Sequence, residues 1–505
     1  MNAHTPSRWY WRWLRRALIA LAVLATIIAA LVTEENVRGK HKWDGYKQAA
    51  AVRGEPLDWA AFFPTPLPDD ENFAKAPIFS KVPVEASGQK VDDPLKMYPE
   101  RTDGSSPKDT GGSWELGRLT SLESWQKYYR EGATKRDNEF SVPAQPQSPA
   151  ADVLLALGKF DAALDDLRAA SQRPYSRIGG YSVSDPTGFP VMMTYLMRFK
   201  GCAQVLRLRA VAELADQRQT NALDDVCLLL ALSDKLRQEP LIISSLVNLA
   251  IETIALDPIY EGLAQHQWND AQLATLEQRL AARDCLADFQ YARKGELIFA
   301  VDHIENQRVT HMDVEAVSDK NNVATFNTNN LAGMPSAFFY QEELSFARMS
   351  DQYLAPLVDV TNHLVSPAVY RRMDQTAHER QKHYSPYTVQ AWMVFPAVSR
   401  SAVKCAVAQA NIDMARVACA LERYWLAHGE YPATLESLAP QSIQQLPHDL
   451  INGQPLHYRR TDDGRFVLYS VGWNEQDDGG MVATNRNGTL DREKRGDWVW
   501  RYPAK

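Results

Sequence analysis

Asp302, His303, Glu305, His311 and Asp313 form the densest group of potential ligands in the chain. Imidazoles and carboxylates gathered in this way can hold a divalent metal or pass protons. The two histidines are eight residues apart, where a helical pattern runs out into a polar loop. Side chains that share a helix face recur every three or four residues, so this spacing reads as a polar helix terminus. His378 and His383, five residues apart, fail the same test. The acid pairs Asp165-Asp166 and Asp224-Asp225 fall on helical stretches, where adjacent side chains diverge. Cys202, Cys227, Cys285, Cys405 and Cys419 are odd in number and lack CxxC or zinc-finger spacing. They read as buried thiols acting as small hydrophobes. HExxH, GxSxG, P-loop and GxGxxG motifs are absent. No catalytic or cofactor-binding residue is nominated on these grounds. A triad assembled from distant residues leaves no motif, however. Two function classes therefore stay open: a non-enzymatic interaction or scaffold protein, and an exported hydrolase-like enzyme with its site between helices.

The chain that must position such groups has 505 residues, of which 45% are hydrophobic and 23% charged. That is ordinary globular composition with enough apolar material for a sizeable core. The net charge of −7 and the lack of a basic stripe beyond the N-terminus argue against a nucleic-acid partner.

Ala17 to Thr33 carries no charge, and its length lies at the short end for a membrane-spanning helix. Arg8, Arg12, Arg15 and Arg16 precede it, Glu34 and Glu35 follow it, and Trp9, Tyr10, Trp11 and Trp13 suit a membrane interface. The charge asymmetry predicts a basic cytoplasmic segment over residues 1–16, a span over 17–33 and the bulk across the membrane. The expected address is the inner membrane, with a single-pass signal-anchor and a periplasmic body. A cleaved signal peptide shares the basic start, although Ile28-Ala29-Ala30 is a poor cleavage site.

Residues 34–117 show weak patterning, with Pro64, Pro66 and Pro68 and a polar DGSSPKDTGG stretch, and read as an extended, irregular stalk. A helical domain is expected over 118–397. Phe160, Ala163, Leu164 and Leu167 share one helical face, as do Leu208, Val211, Ala212 and Ala215. Ala222, Val226, Leu229, Leu230 and Ser233 repeat the pattern, and so do Leu246, Leu249, Ala250 and Thr253. Pro240, Pro258 and the Gln217–Thr220 turn are the expected breaks. Leu154–Pro174 and Ala210–Pro240 resemble tetratricopeptide hairpins, without a strict repeat period. A polar, asparagine-rich loop is expected near 310–335.

The pattern changes over 398–505. Val407, Ala410, Met414, Val417, Leu421 and Tyr424 alternate by three and four, the seam of a long helix. Gly429 follows as a left-handed C-cap. Two strands, Leu456–Arg460 and Arg465–Val471, flank an Asp463-Gly464 turn, and Trp498, Trp500 and Tyr502 alternate on a last strand. The segments LERYWLAHGEYPATLESL, NGQPLHYRR and FVLYSVGWNEQDDGG, in that order, resemble the soluble part of the type II secretion major pseudopilin over roughly 400–502. The whole chain also resembles a group of membrane-anchored bacterial proteins that share this ending. The fold class implied is mainly α: a transmembrane helix, a helical hairpin or bundle domain, and a small C-terminal α+β module with an antiparallel sheet.

The pseudopilin resemblance also implies a calcium loop after Ser470-Val471-Gly472. In that family an Asp follows the S-x-G unit and another precedes the final strand's Trp. Here Asn474 stands at the first position and Asp497, before Trp498, at the second, with Asp477 and Asp478 in the same loop. Calcium takes about six to eight oxygens, several from carboxylates or carbonyls. Asn474, Asp477, Asp478 and Asp497 are thus the metal ligands, and calcium the cofactor, that the resemblance implies. A solvated acidic turn ended by Gly479-Gly480 is the other reading. A pseudopilin carries its membrane helix directly on the long helix, behind a prepilin-peptidase site. This chain starts without such a site, so the module reads as a docking unit rather than a fibre subunit.

Overall fold

The computed structural model of the chain describes residues 8–81, 95–102, 105–108, 110–133, 139–182, 188–310, 334–382, 385, 387–486, 490–492 and 495–502. Helix α1 (Arg8–Val52) is followed by a short α2 (Trp59–Phe62), the antiparallel pair β1 (Gly111–Ser113) and β2 (Arg118–Thr120), and α3 (Leu122–Ala133). Next come α4 (Pro149–Leu157), α5 (Asp161–Ser171), α6 (Gly188–Ala215), α7 (Gln219–Leu236), α8 (Ile242–Ala264), α9 (Asp270–Ala281) and α10 (Cys285–Thr310). After α11 (Ser336–Met349) a small hairpin of β3 (Val358–Asp359) and β4 (Leu364–Val365) leads to α12 (Pro367–Lys382) and α13 (Val389–His428). The chain ends in an antiparallel sheet of order β5 (His457–Arg460), β6 (Phe466–Ser470), β7 (Trp498–Trp500). The architecture is mainly α, as the helical periodicity implies.

Helices α6, α7 and α8 fold back on one another. Arg209 of α6 meets Asp225 of α7 at 2.8 Å, and Ser233 of α7 meets Asn248 of α8 at 2.7 Å. The expected faces of α5 and α7 are buried: Leu164 and Leu167, then Ala222, Val226, Leu229, Leu230 and Ser233. Helix α8 departs from expectation. Of Leu246, Leu249, Ala250 and Thr253 only Leu249 is buried, while Ser244, Asn248, Ile251, Glu252, Ala255 and Ile259 face the core. The apolar face instead lines an open groove with Val403 and Val407 of α13. The cause is Arg283, whose buried guanidinium draws Glu252 inward. Pro258 does not break α8 but lies buried inside it.

Helix α13 is more than the seam of a separate module. Among residues 401–422 every residue but Lys404 and Arg416 is buried. Alanines 402, 406, 408, 410, 415, 418 and 420 let α8, α9, α10 and β7 approach on all sides. The helix begins at Val389, so the expected boundary at 398 falls within it. One apolar core runs unbroken from Phe73 to Tyr502.

The stalk reading of 34–117 also changes. Helix α1 does not stop at residue 33 but continues to Val52, supported by Arg38 pairing with Glu34 and Glu35. Its last third packs on α11, burying Trp43 and Ala50. Asn36 Oδ1 accepts the Ala337 N–H at 2.7 Å and Tyr46 donates to Asp351 at 2.8 Å. Farther on, Phe73, Phe79, Leu95, Met97 and Trp114 enter the main core, because large apolar side chains gain most by leaving water. The expected polar loop lies almost wholly outside the described residues. From Trp9 to Leu31 α1 is exposed, and its uncharged stretch from Ala17 makes it long and apolar enough to cross a membrane. Helix α8 is also long and apolar enough by composition, though less apolar, and it is mostly buried in the body.

Candidate functional site

The acidic loop of the C-terminal module does come together. Gly472 closes it in the left-handed region (φ 69), where a Cβ would strike the Gly496 carbonyl oxygen at 2.7 Å. Asp497 accepts the N–H groups of Asp478 (3.2 Å) and Gly480 (2.7 Å). Asn474 donates to Asp478 at 2.8 Å. Asp477 accepts from Gly479 N–H and the Tyr469 hydroxyl, and stacked His457 stands 3.5 Å from it. Backbone bonding holds the Asp477 carboxyl below its ordinary value, while burial raises that of Asp497. These oxygens act as turn acceptors. Each of these carboxylates keeps further lone pairs beside the hydrogen bonds it accepts. Among the described residues no group of three or more His, Cys, Asp or Glu is placed to hold a metal.

The group around residue 303 does not converge either. Asp302 accepts from Ser182 at 3.0 Å, His303 meets Gln307 at 2.9 Å, and Glu305 pairs with Arg308. His311 and Asp313 lie outside the described residues, as does His383. Asp225 is not a solvated acid: it is buried between Arg168 and Arg209.

Two other polar centres escaped the motif search. In the first, Arg283 Nη1 reaches Glu252 Oε1 at 3.4 Å, with both side chains 1% exposed. Arg283 also donates to Ser233 Oγ and to Leu230 O, each at 2.9 Å, and Cys285 Sγ lies 3.2 Å from Glu252 Oε2. In the second, His266 Nδ1 stands 2.6 Å from Oε1 of the fully buried Glu422, with the imidazole 41% exposed. Tyr431 donates to Glu422 Oε2 at 2.9 Å and meets the Tyr502 hydroxyl at 3.2 Å. His266 stacks on Trp425 and takes a left-handed φ of 52. Three residues of the LERYWLAHGEY segment, Glu422, Trp425 and Tyr431, thus converge on a histidine from the α8–α9 turn.

The pocket with the most varied chemistry lies elsewhere, where the segment after α2, residues 175–178, the end of α7 and α10 meet. Phe63, Tyr175, Ser176, Arg177, Arg237 and Tyr291 line a cavity of about 300 Å³. The 175–178 strap belongs to no helix or strand but is pinned at every turn. Ser176 N–H donates to Gln238 at 2.8 Å, Arg177 N–H to Asn72 at 2.9 Å, and Ile178 N–H to Glu239 at 2.8 Å. Glu239 is buried beneath it and accepts from Tyr181 at 2.5 Å; burial pushes its carboxyl up to about 7. The Arg177 guanidinium lies 4.0 Å over the Phe63 ring and donates to Thr65 O at 3.3 Å. Among the described residues no carboxylate comes within ion-pair distance of Arg177. Arg237, by contrast, is tied to Asp288 at 2.7 Å. The Ser176 side chain is buried against Glu239. Nothing but the aromatic run Trp59, Phe62, Phe63 ahead of the prolines signalled this pocket in the sequence. Comparison with family models, with curated proteins and with solved structures finds no match to this chain.

Proposed function

We propose that the protein is a single-pass membrane-anchored interaction protein, with its N-terminus in the cytoplasm and its helical body outside. One observation carries this reading: a single helix contains both the exposed apolar stretch and the part docked on α11. Burial of Trp43 and Ala50, the Asn36 cap and the Tyr46–Asp351 bond fix the helix to the body, so a bilayer around residues 17–33 would set the height and tilt of the whole molecule. An exposed apolar helix of this length is stable only in lipid or against a partner. The pseudopilin-like ending, locked onto α8 and α9, supplies a docking face carried on that rigid mount. Protease added to spheroplasts should degrade the body and leave a small N-terminal fragment. Protection of a tag at Lys505 with cleavage of one at Met1 would reverse the orientation, and release of the protein by carbonate would remove the anchor.

The enzyme reading draws on His266, an exposed imidazole oriented by a buried carboxylate, the geometry of a general base and its orienting group. Turnover of chromogenic ester or phosphodiester substrates by the wild type but not by His266→Ala would support it.

A further inference from the structure

We infer that the Phe63–Arg177–Tyr291 pocket is a binding site for a singly charged carboxylate carried on an aromatic ring. The inference does not depend on which side of a membrane the body occupies. Arg237 has its charge met by Asp288, and Asp234 lies 3.7 Å from it as well. Arg177 is the wall's cation without a carboxylate partner, so the pocket has one positive charge to offer. A dianion such as phosphate would meet Asp288, Asp234 and buried Glu239 with its second charge, whereas one carboxylate matches the one available cation.

Geometry selects the same group. Phe63 covers the face of the Arg177 guanidinium. That directs the in-plane N–H donors sideways, the edge at which arginine grips a carboxylate with two parallel bonds.

The remaining wall is apolar and flat. Tyr291 packs on Phe62 at 5.3 Å, and Phe63 packs on Trp59 and Tyr181 at 6.0 and 5.5 Å. Such a backed surface keeps its shape when empty. A dry cavity of about 150 Å³ accepts one benzene ring. Twice that volume, as here, is enough for one ring with its acid group. The pinned strap means that little is ordered on binding, which favours a small ligand with few contacts.

The test is calorimetric titration of the full chain in detergent with phenylacetate, against phenylacetamide, acetate and inorganic phosphate. Phenylacetate should bind saturably, with the amide and acetate each weaker by about tenfold or more. Arg177→Gln should abolish the phenylacetate signal, and Arg177→Lys should retain part of it through charge alone. Tyr175→Ala, at a half-exposed position that leaves the fold alone, should weaken phenylacetate without restoring acetate. No saturable phenylacetate binding up to about 10 mM, an equal affinity for the amide, tighter binding of phosphate, or an unchanged affinity in folded Arg177→Gln would each overturn the assignment.

Discussion

Glu252 and Glu422 are both fully enclosed carboxylates, yet they are answered by different partners. Glu252 faces Arg283, sealed in the body between α7, α8 and α10. Glu422 faces His266, which keeps 41% of its side chain in solvent. An arginine is charged at every relevant pH, so its centre can be closed to water without losing its counter-ion. A histidine is a counter-ion only while protonated, and it must stand where protons can reach it. The inner pair therefore braces the bundle permanently. The outer pair latches the C-terminal segment to the α8–α9 turn at the solvent boundary. Both belong to one core, because α13 carries Glu422 at one end and packs on α8 along its length.

The largest effect should come from cutting that shared core. A fragment of residues 398–505 loses α8, α9 and α10, and would expose almost every side chain of α13. It should show no cooperative thermal transition by circular dichroism; a sharp one would mean that the outer centre belongs to a self-sufficient domain. Next in size is Arg283→Met. Stranding Glu252 without its cation should cost about 3–5 kcal/mol in urea unfolding, and adding Glu252→Met should recover most of it, since an apolar pair needs no desolvation. His266→Ala should cost less, about 1–3 kcal/mol, because water enters beside an exposed imidazole and Tyr431 still donates to Glu422. If His266→Ala matched Arg283→Met, the outer centre would be as sealed as the inner one and the contrast would fail.

Much of the framework was legible in the sequence. Helix α13 ends at His428, with Gly429 at φ 77 as its cap, and the β5–β6 turn places Gly464 at φ 78. Val407, Ala410, Met414, Val417 and Leu421 are all buried. These features rest on local chemistry, which a sequence displays directly. What stayed hidden depends on distant partners. The core face of α8 was misread because Asn248 and Glu252 look solvent-seeking until Arg283, on a later segment, is brought to them. His266 drew no notice because Glu422 lies 156 positions away. The pocket is assembled from four separate segments, with its cation and its aromatic wall on different ones. The C-terminal acids share one loop, and which atoms they accept from was set by the backbone path of that loop, which turned their oxygens toward N–H groups.

The smallest effect sharpens the contrast at a third carboxylate. Asp413, on α13 two and a half turns before Glu422, is nearly buried and faces His363, whose side chain is 29% exposed and whose φ is 52. The ion-pair distance is 3.7 Å, too long for a hydrogen bond, and Arg416 shares Asp413 at 3.5 Å while also holding Glu277. His448 stands 3.2 Å from the His363 carbonyl oxygen and meets the His363 ring edge-on at 6.1 Å. Asp413 raises the His363 pKa, opposed by burial, with Asp284 adding to the rise and Arg416 working against it. A raised value means that the folded state holds the proton more tightly than the unfolded chain. The stabilisation is therefore complete below the unfolded imidazole value, about 6.5, and disappears as pH climbs through the folded value. His363→Gln should remove that slope, so the melting temperatures of the two proteins should differ most near pH 6 and converge by about pH 8. Solvent screening and the competing Arg416 keep the difference to about 0.5–1 kcal/mol. Identical pH profiles would show that Arg416 alone answers Asp413, placing this carboxylate with the arginine-braced interior and not with the histidine-faced Glu422.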